Sequence, residues 1–169
     1  HLLMKNRNQK EFTIVGYSFG SVVAIELVRK LESFNHKCNL IIIDGSPDFL
    51  KTIRNQQLQA ENDETLATNV LLGITDKLAP AVSGDLYLRL RKCKSWEEKL
   101  DAYVKYFPKD ILKMSTEALR NITINLYYRL LVLGSYDTTK VPPIQANITL
   151  LKPTIQSFRN LEADYGLSK

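Results

Sequence analysis

Phe12-Thr13-Ile14-Val15-Gly16-Tyr17-Ser18-Phe19-Gly20 is the stretch on which the fold turns. Phe12 to Gly16 is a short, β-branched run, the pattern of a buried strand. Residues 21–34 then take up helical periodicity, with Val23, Leu27, Leu31 and Phe34 as the expected apolar stripe. Glu26 and Lys30 stand four apart in the orientation that adds roughly 0.2–0.5 kcal/mol to a helix. After the polar connection Asn35-His36-Lys37 comes Leu40-Ile41-Ile42-Ile43, a continuous apolar run that predicts a strand covered on both faces. Asp44-Gly45-Ser46-Pro47 ends it in a turn cluster. Strand, helix, strand in this order is a βαβ unit of a parallel sheet with a right-handed crossover.

The turn between the first strand and the helix carries the chemistry. Gly16-Tyr17-Ser18-Phe19-Gly20 reads G-x-S-x-G, with a strand before it and a helix after it. In that setting the serine sits in a tight, strained turn, and Gly16 and Gly20 are expected to leave room for strand and helix. Ser18 Oγ is then lifted above the carboxyl edge of the sheet. The N–H of Phe19 is the expected oxyanion donor, close to a helix N-terminus. The bland alternative is a small-residue turn in a nucleotide-binding unit, but no G-x-G-x-x-G is present.

A serine hydroxyl needs an oriented base, and in this architecture the chain order is serine, acid, histidine. Asp44 is the acid candidate, because it falls at the carboxyl end of the next strand, on the edge that bears Ser18. A carboxylate there orients an imidazole and stabilises the imidazolium. A turn-capping aspartate is the competing role, and Glu162 and Asp164 are the alternative acids. Neither histidine fits as the base. His1 precedes the serine, and His36 enters the Asp44 strand at its amino end, on the order of 16 Å away along a five-residue strand.

From about Phe49 to Leu133 the pattern is helical, with breaks expected near Gly73, Pro80, Gly84 and Pro108. Trp96, Leu100, Tyr103, Val104 and Phe107 make one stripe. Leu119, Ile122, Leu126, Leu130 and Leu133 make another. So long a helical span between two sheet strands reads as an inserted subdomain rather than a connection. Tyr136 to Pro143 is a turn-rich linker, and Asn147 to Leu151 resumes strand character until Lys152-Pro153. The expected fold is therefore α/β, a partial α/β-hydrolase-like parallel sheet carrying an inserted helical lid or groove subdomain. The core is expected over 1–48 and 144–169, with the helical insertion and linker over 49–143.

Composition excludes several classes. In 169 residues, 44% are hydrophobic and 24% charged, ordinary values for a globular domain. No apolar run approaches the roughly 18 residues of a membrane span. Two cysteines and two histidines at unrelated spacings make neither a disulfide framework nor a metal cluster, and a reducing, cytoplasmic setting is expected. The net charge of +5 is mild, and its densest cluster, Arg89, Arg91, Lys92 and Lys94, reads as a solvated helical face. No aromatic side chains alternate with it as a nucleic-acid binder would want. The sequons Asn121-Ile122-Thr123 and Asn147-Ile148-Thr149 fall in an expected helix and at the start of an expected buried strand, and read as chance matches. The opening residues, His1 to Lys10, look like the polar end of a helix. That start and the abrupt stop at Lys169 read as a piece of a longer polypeptide.

Gly16-Tyr17-Ser18-Phe19-Gly20 with Val22 to Leu27, then Leu40-Ile41-Ile42-Ile43-Asp44-Gly45-Ser46-Pro47, resembles the thioesterase domain of animal-type (type I) fatty acid synthases. Tyr127-Tyr128-Arg129-Leu130 and Ala163-Asp164-Tyr165-Gly166-Leu167-Ser168 are similar to it as well. The resemblance implies that Ser18 is acylated, that Asp44 is the triad acid and that Phe19 N–H serves the oxyanion. It implies a triad histidine beyond Lys169 and a second oxyanion donor before His1, so that the 169 residues alone would be inactive. The implied substrate is a long acyl chain on the phosphopantetheine of acyl carrier protein, with no further cofactor, inside a homodimeric multidomain synthase. The helical insertion would form the acyl groove, with Tyr17, Phe49, Trp96 and Phe107 as candidate lining residues, though ordinary core packing competes for each. The basic cluster at 89–94 would suit docking of the acidic carrier. A stand-alone serine esterase or lipase, and a non-catalytic interaction module of the same fold, remain the competing functions.

Overall fold

The computed structural model describes residues 10–59, 62–108, 111, 113–154 and 162–168. His1 and the helix end expected at the start of the chain lie outside them. The fold is mixed α/β, as expected, with a parallel sheet of the α/β-hydrolase type. Strands β1 (Glu11–Tyr17), β2 (Lys37–Ile43) and β3 (Asn147–Leu151) lie side by side in that order, both pairs parallel. Helix α1 (Gly20–Glu32) crosses from β1 to β2.

The residues form two compact units, 1–52 with 136–169, and 53–135. In the first, alternation along the strands puts Phe12, Cys38, Leu40 and Ile42 on one sheet face, buried under Ala24, Ile25, Val28 and Leu31 of α1. Each fully buried aliphatic side chain of this set stabilises the fold by about 1.5–3 kcal/mol. The opposite face is open: Val15 and Tyr17 are exposed, and Ile41 and Ile43 are half-buried. The double cover expected for β2 is therefore single among the described residues. β3 alternates exposed and half-buried residues, so among the described residues the second sequon opens a half-exposed strand rather than a buried one.

The stripe expected on α1 is out of phase. Val23 is 56% exposed and Phe34 is also exposed, whereas Val22, Ala24, Ile25, Val28 and Leu31 are buried. The small Ala24 faces the sheet because Gly16 brings strand and helix too close for a larger side chain. A Cβ on Gly16 would stand 2.8 Å from that of Ala24.

Helix α2 (Pro47–Leu58) carries the chain into the second unit, which holds α3 (Asp63–Leu78), α4 (Ser83–Leu90), α5 (Trp96–Tyr106) and α6 (Thr116–Ser135). Asn62 and Ser95 cap α3 and α5 by accepting from the N–H groups of Thr65 and Glu98. α3 runs unbroken through Gly73. Pro80 opens a short 3-10 turn, and Gly84 lies in the first turn of α4. Leu71, Leu86, Leu90, Leu100, Tyr103 and Phe107 form the core. On α6, Leu119, Thr123, Tyr127 and Leu133 are buried and Ile122 and Leu126 are exposed. Thr123 can occupy the core because its own hydroxyl is satisfied, donating to the Leu119 carbonyl at 2.8 Å.

The basic cluster differs from its expected form too. α4 ends at Leu90, so Arg91, Lys92 and Lys94 lie in the turn beyond it, where positive charge suits a helix C-terminus. Arg89 lies over the Tyr106 ring, at 4.3 Å. Among the described residues no helix is long and apolar enough to cross a membrane.

Candidate active site

β1 and β2 are in register, Tyr17 against Ile43. The residues that follow these partners are Ser18 and Asp44, so both stand at the carboxyl edge of the sheet. Each takes a left-handed backbone, φ +50° at Ser18 and +47° at Asp44, although neither is glycine. Such a residue costs on the order of 1–3 kcal/mol and persists only where its surroundings hold it. Ser18 is held by its N–H donating to the Ile43 carbonyl at 3.0 Å, and by its own carbonyl accepting from Ser21 N–H and Oγ at 2.9 and 2.6 Å. Asp44 N–H donates to the Leu151 carbonyl at 2.9 Å, so the two neighbouring strands each pin one end of β2's exit.

Phe19 has helical dihedrals and precedes the first residue of α1, which puts its amide at a helix N-terminus. Gly16 is required by space, since a Cβ there would meet the Gly20 carbonyl at 2.7 Å. Nothing crowds Gly20 itself within 4 Å, so the second glycine of the motif is not needed for clearance.

Gly45 was legible only as a turn residue, and its reason is tertiary. A Cβ on it would stand 2.5 Å from the Ser18 carbonyl and 2.7 Å from Ser21 Oγ. The turn after Asp44 thus packs directly on the turn that bears Ser18. Ser46 continues this arrangement: its hydroxyl accepts from Phe49 N–H at 3.0 Å, capping α2 ahead of Pro47, and donates to the Tyr165 carbonyl at 2.5 Å. Tyr165 in turn donates its hydroxyl to Asp44 Oδ1 at 3.3 Å.

The other candidates lie as follows. Asp164 accepts from the backbone N–H groups of Gly166 and Ser168, and hydrogen bonds from Ser168 and Gly166 hold its carboxyl below the usual range. It caps its own turn. The Glu162 carbonyl accepts from Tyr165 N–H in the same turn. His36 is at the amino end of β2, edge-on to Phe12, separated from the Ser18 edge by a seven-residue strand, roughly 20 Å. His1 is outside the described residues. Tyr17 is 67% exposed beside Ser18. Phe49 is buried and stacked on Tyr165 at 4.0 Å, Trp96 stacks on Tyr127 at 3.8 Å, and Phe107 is buried in the helical core. Burial pushes the Cys38 thiol up, which disfavours a thiolate there. No group of metal-ligating side chains occurs among the described residues.

A parallel sheet whose carboxyl edge bears a strained serine turn ahead of a helix is consistent with the α/β-hydrolase type of fold. The model of the thioesterase domain family matches residues 2–162, and the chain belongs to that family. Its function class is hydrolysis of thioesters. Comparison with curated proteins returns no match.

Proposed function

We propose that this chain is the thioesterase portion of a fatty acid synthase of the animal type, releasing long-chain acids from acyl carrier protein through an acyl-serine. The observation that carries the reading is the pairing of Ser18 and Asp44, one residue past matched partners at one edge of the sheet, with the Phe19 amide opening α1 beside them.

The steps follow from those positions. Ser18 Oγ attacks the thioester carbonyl and gives its proton to the base. The carbonyl oxygen becomes an oxyanion opposite Phe19 N–H. The C–S bond then breaks and the phosphopantetheine thiol leaves with the proton. Water, deprotonated by the same base, attacks the acyl-serine, which releases the free acid and restores Ser18. Side chains and backbone amides suffice, so the reaction draws on no cofactor. Asp44 orients the base, the triad histidine that the family resemblance implies beyond Lys169. Apolar surface of the helical unit binds the chain, at about 0.8 kcal/mol for each methylene buried. Exposed Tyr17 adjoins the nucleophile in sequence and is the proposed groove aromatic beside it. The parent is proposed to be a homodimeric synthase in the cytoplasm.

The test compares substrates. The full-length protein carrying this sequence should hydrolyse palmitoyl-acyl carrier protein much faster than a matched oxyester, with the acyl group found by mass spectrometry on the Ser18 peptide. Equal or faster oxyester turnover, independent of the carrier, identifies an esterase instead. No turnover of either identifies a non-catalytic module. The 169 residues alone should show no multiple-turnover hydrolysis of a palmitoyl thioester, and sustained hydrolysis would mean that a base within them serves.

The exposed Arg91, Lys92 and Lys94 supply the proposed contact with the acidic carrier. Arg91→Glu with Lys92→Glu should raise KM for carrier-bound palmitate about 10-fold at low salt, where surface charge is least screened. KM for palmitoyl-pantetheine should stay unchanged. An unaltered KM for the carrier-bound substrate removes this surface from the proposal.

A further inference from the structure

The turn at 163–168 lies 121 residues from Asp44 in sequence, yet it delivers a tyrosine hydroxyl to that carboxylate. Tyr165 is held on every side. Its ring is 3% exposed and stacks face to face on Phe49, with 1° between the planes and 4.0 Å between centroids. Lys152 Nζ stands over the same ring at 5.6 Å and donates to the Ala163 carbonyl at 2.6 Å, which closes the turn onto the end of β3. The Tyr165 carbonyl accepts from Ser46 Oγ, two residues after Asp44 in the same Asp-Gly-Ser-Pro stretch. Its backbone is left-handed, φ +58°, as are those of Ser18 and Asp44.

This is far more restraint than a tyrosine needs to fill space. A phenylalanine would bury the same ring without the requirement that a buried hydroxyl find a partner. The hydroxyl's partner is Asp44 Oδ1. With that oxygen facing the hydroxyl at 3.3 Å, a long hydrogen bond, Oδ2 is the atom left to accept from a base, and rotation about the Cβ–Cγ bond is biased toward that arrangement. A triad carboxylate acts through the orientation it imposes. A second donor that fixes the carboxylate's own plane therefore belongs to the machinery at one remove.

We propose that Tyr165 is a positioning residue for catalysis, fixing the rotamer of Asp44 by its hydroxyl. The proposal rests on Asp44 being the triad acid and adds a residue to that site. Ser46 and Phe49 position Tyr165 in their turn, which assigns the buried Phe49 a place behind the acid rather than in an acyl groove.

The test is a double-mutant cycle in the full-length protein with palmitoyl-pantetheine. Tyr165→Phe keeps the ring, its stacking and the backbone bond from Ser46, so the fold is retained, and the unfolding midpoint is measured alongside. kcat, counted per acylatable serine, should fall about 10-fold while KM stays within twofold. In an Asp44→Asn background the same change should cost less than twofold, because the orientation it supports is already lost. 4-Aminophenylalanine at 165, which restores a donor on the same ring, should recover kcat to within threefold of the wild type. Wild-type kcat in Tyr165→Phe, an equal fall in both backgrounds, or no recovery with the amine each overturns the role of Tyr165. Wild-type kcat in Asp44→Asn alone overturns instead the assignment of the acid on which it rests.

Discussion

Ser18→Ala in the full-length protein is expected to abolish acyl release, with kcat down about 10⁶-fold and the unfolding midpoint unchanged or raised. The size follows from what remains. Without the nucleophile no acyl-enzyme forms, and only oxyanion stabilisation and substrate binding are left, worth roughly 10³–10⁴-fold over water. The fold should survive because the bonds that shape the turn run through the backbone of residue 18: its N–H to Ile43, and its carbonyl from Ser21. None needs Oγ. The strain lies in the backbone too, at φ +50°. Kinetics and thermal unfolding on one preparation separate the two effects, and turnover within tenfold of the wild type would remove Ser18 as nucleophile.

The second large effect is expected at Asp44. Asp44→Asn keeps the side chain's shape and can still accept the Tyr165 hydroxyl through its amide oxygen. What it loses is the negative charge and the second acceptor, since the amide nitrogen donates where the base's N–H also donates. The base is then held in the wrong tautomer, and kcat should fall about 10³–10⁴-fold with KM little changed. The competing acid makes the outcome decisive. Asp164 is spent on its own turn, accepting from Gly166 and Ser168. If Asp164→Asn instead produced the large loss and Asp44→Asn a small one, the acid would be misassigned and Asp44 would be the turn-capping residue considered at the outset.

How much of this was legible depended on how far apart in sequence the deciding atoms lie. β1 and β2 were readable because strand runs and turn residues are local, and the serine turn was readable because its parts fall within five positions. The helix faces were not. Val23 on α1 and Phe34 in the turn after it, and Ile122 and Leu126 on α6, matched helical spacing and proved exposed, while Ala24 and Thr123 took buried places. An apolar count weighs size and polarity, but the sheet selects the side chain that fits its clearance, and a threonine that pays its hydroxyl back to its own helix is apolar enough for a core. Gly45 looked like a turn glycine for the same reason, its neighbour at Ser18 being invisible from its own segment.

The linear order of residues therefore determined the βαβ frame, the strained serine turn and the edge of the sheet that bears Ser18 and Asp44, because each follows from the geometry of a few consecutive residues. Only the assembled chain decided which helix faces pack, why position 45 has no side chain, and which distant tyrosine meets Asp44. Those outcomes depend on van der Waals distances and hydrogen bonds between segments up to 121 residues apart, set when the elements pack and not before.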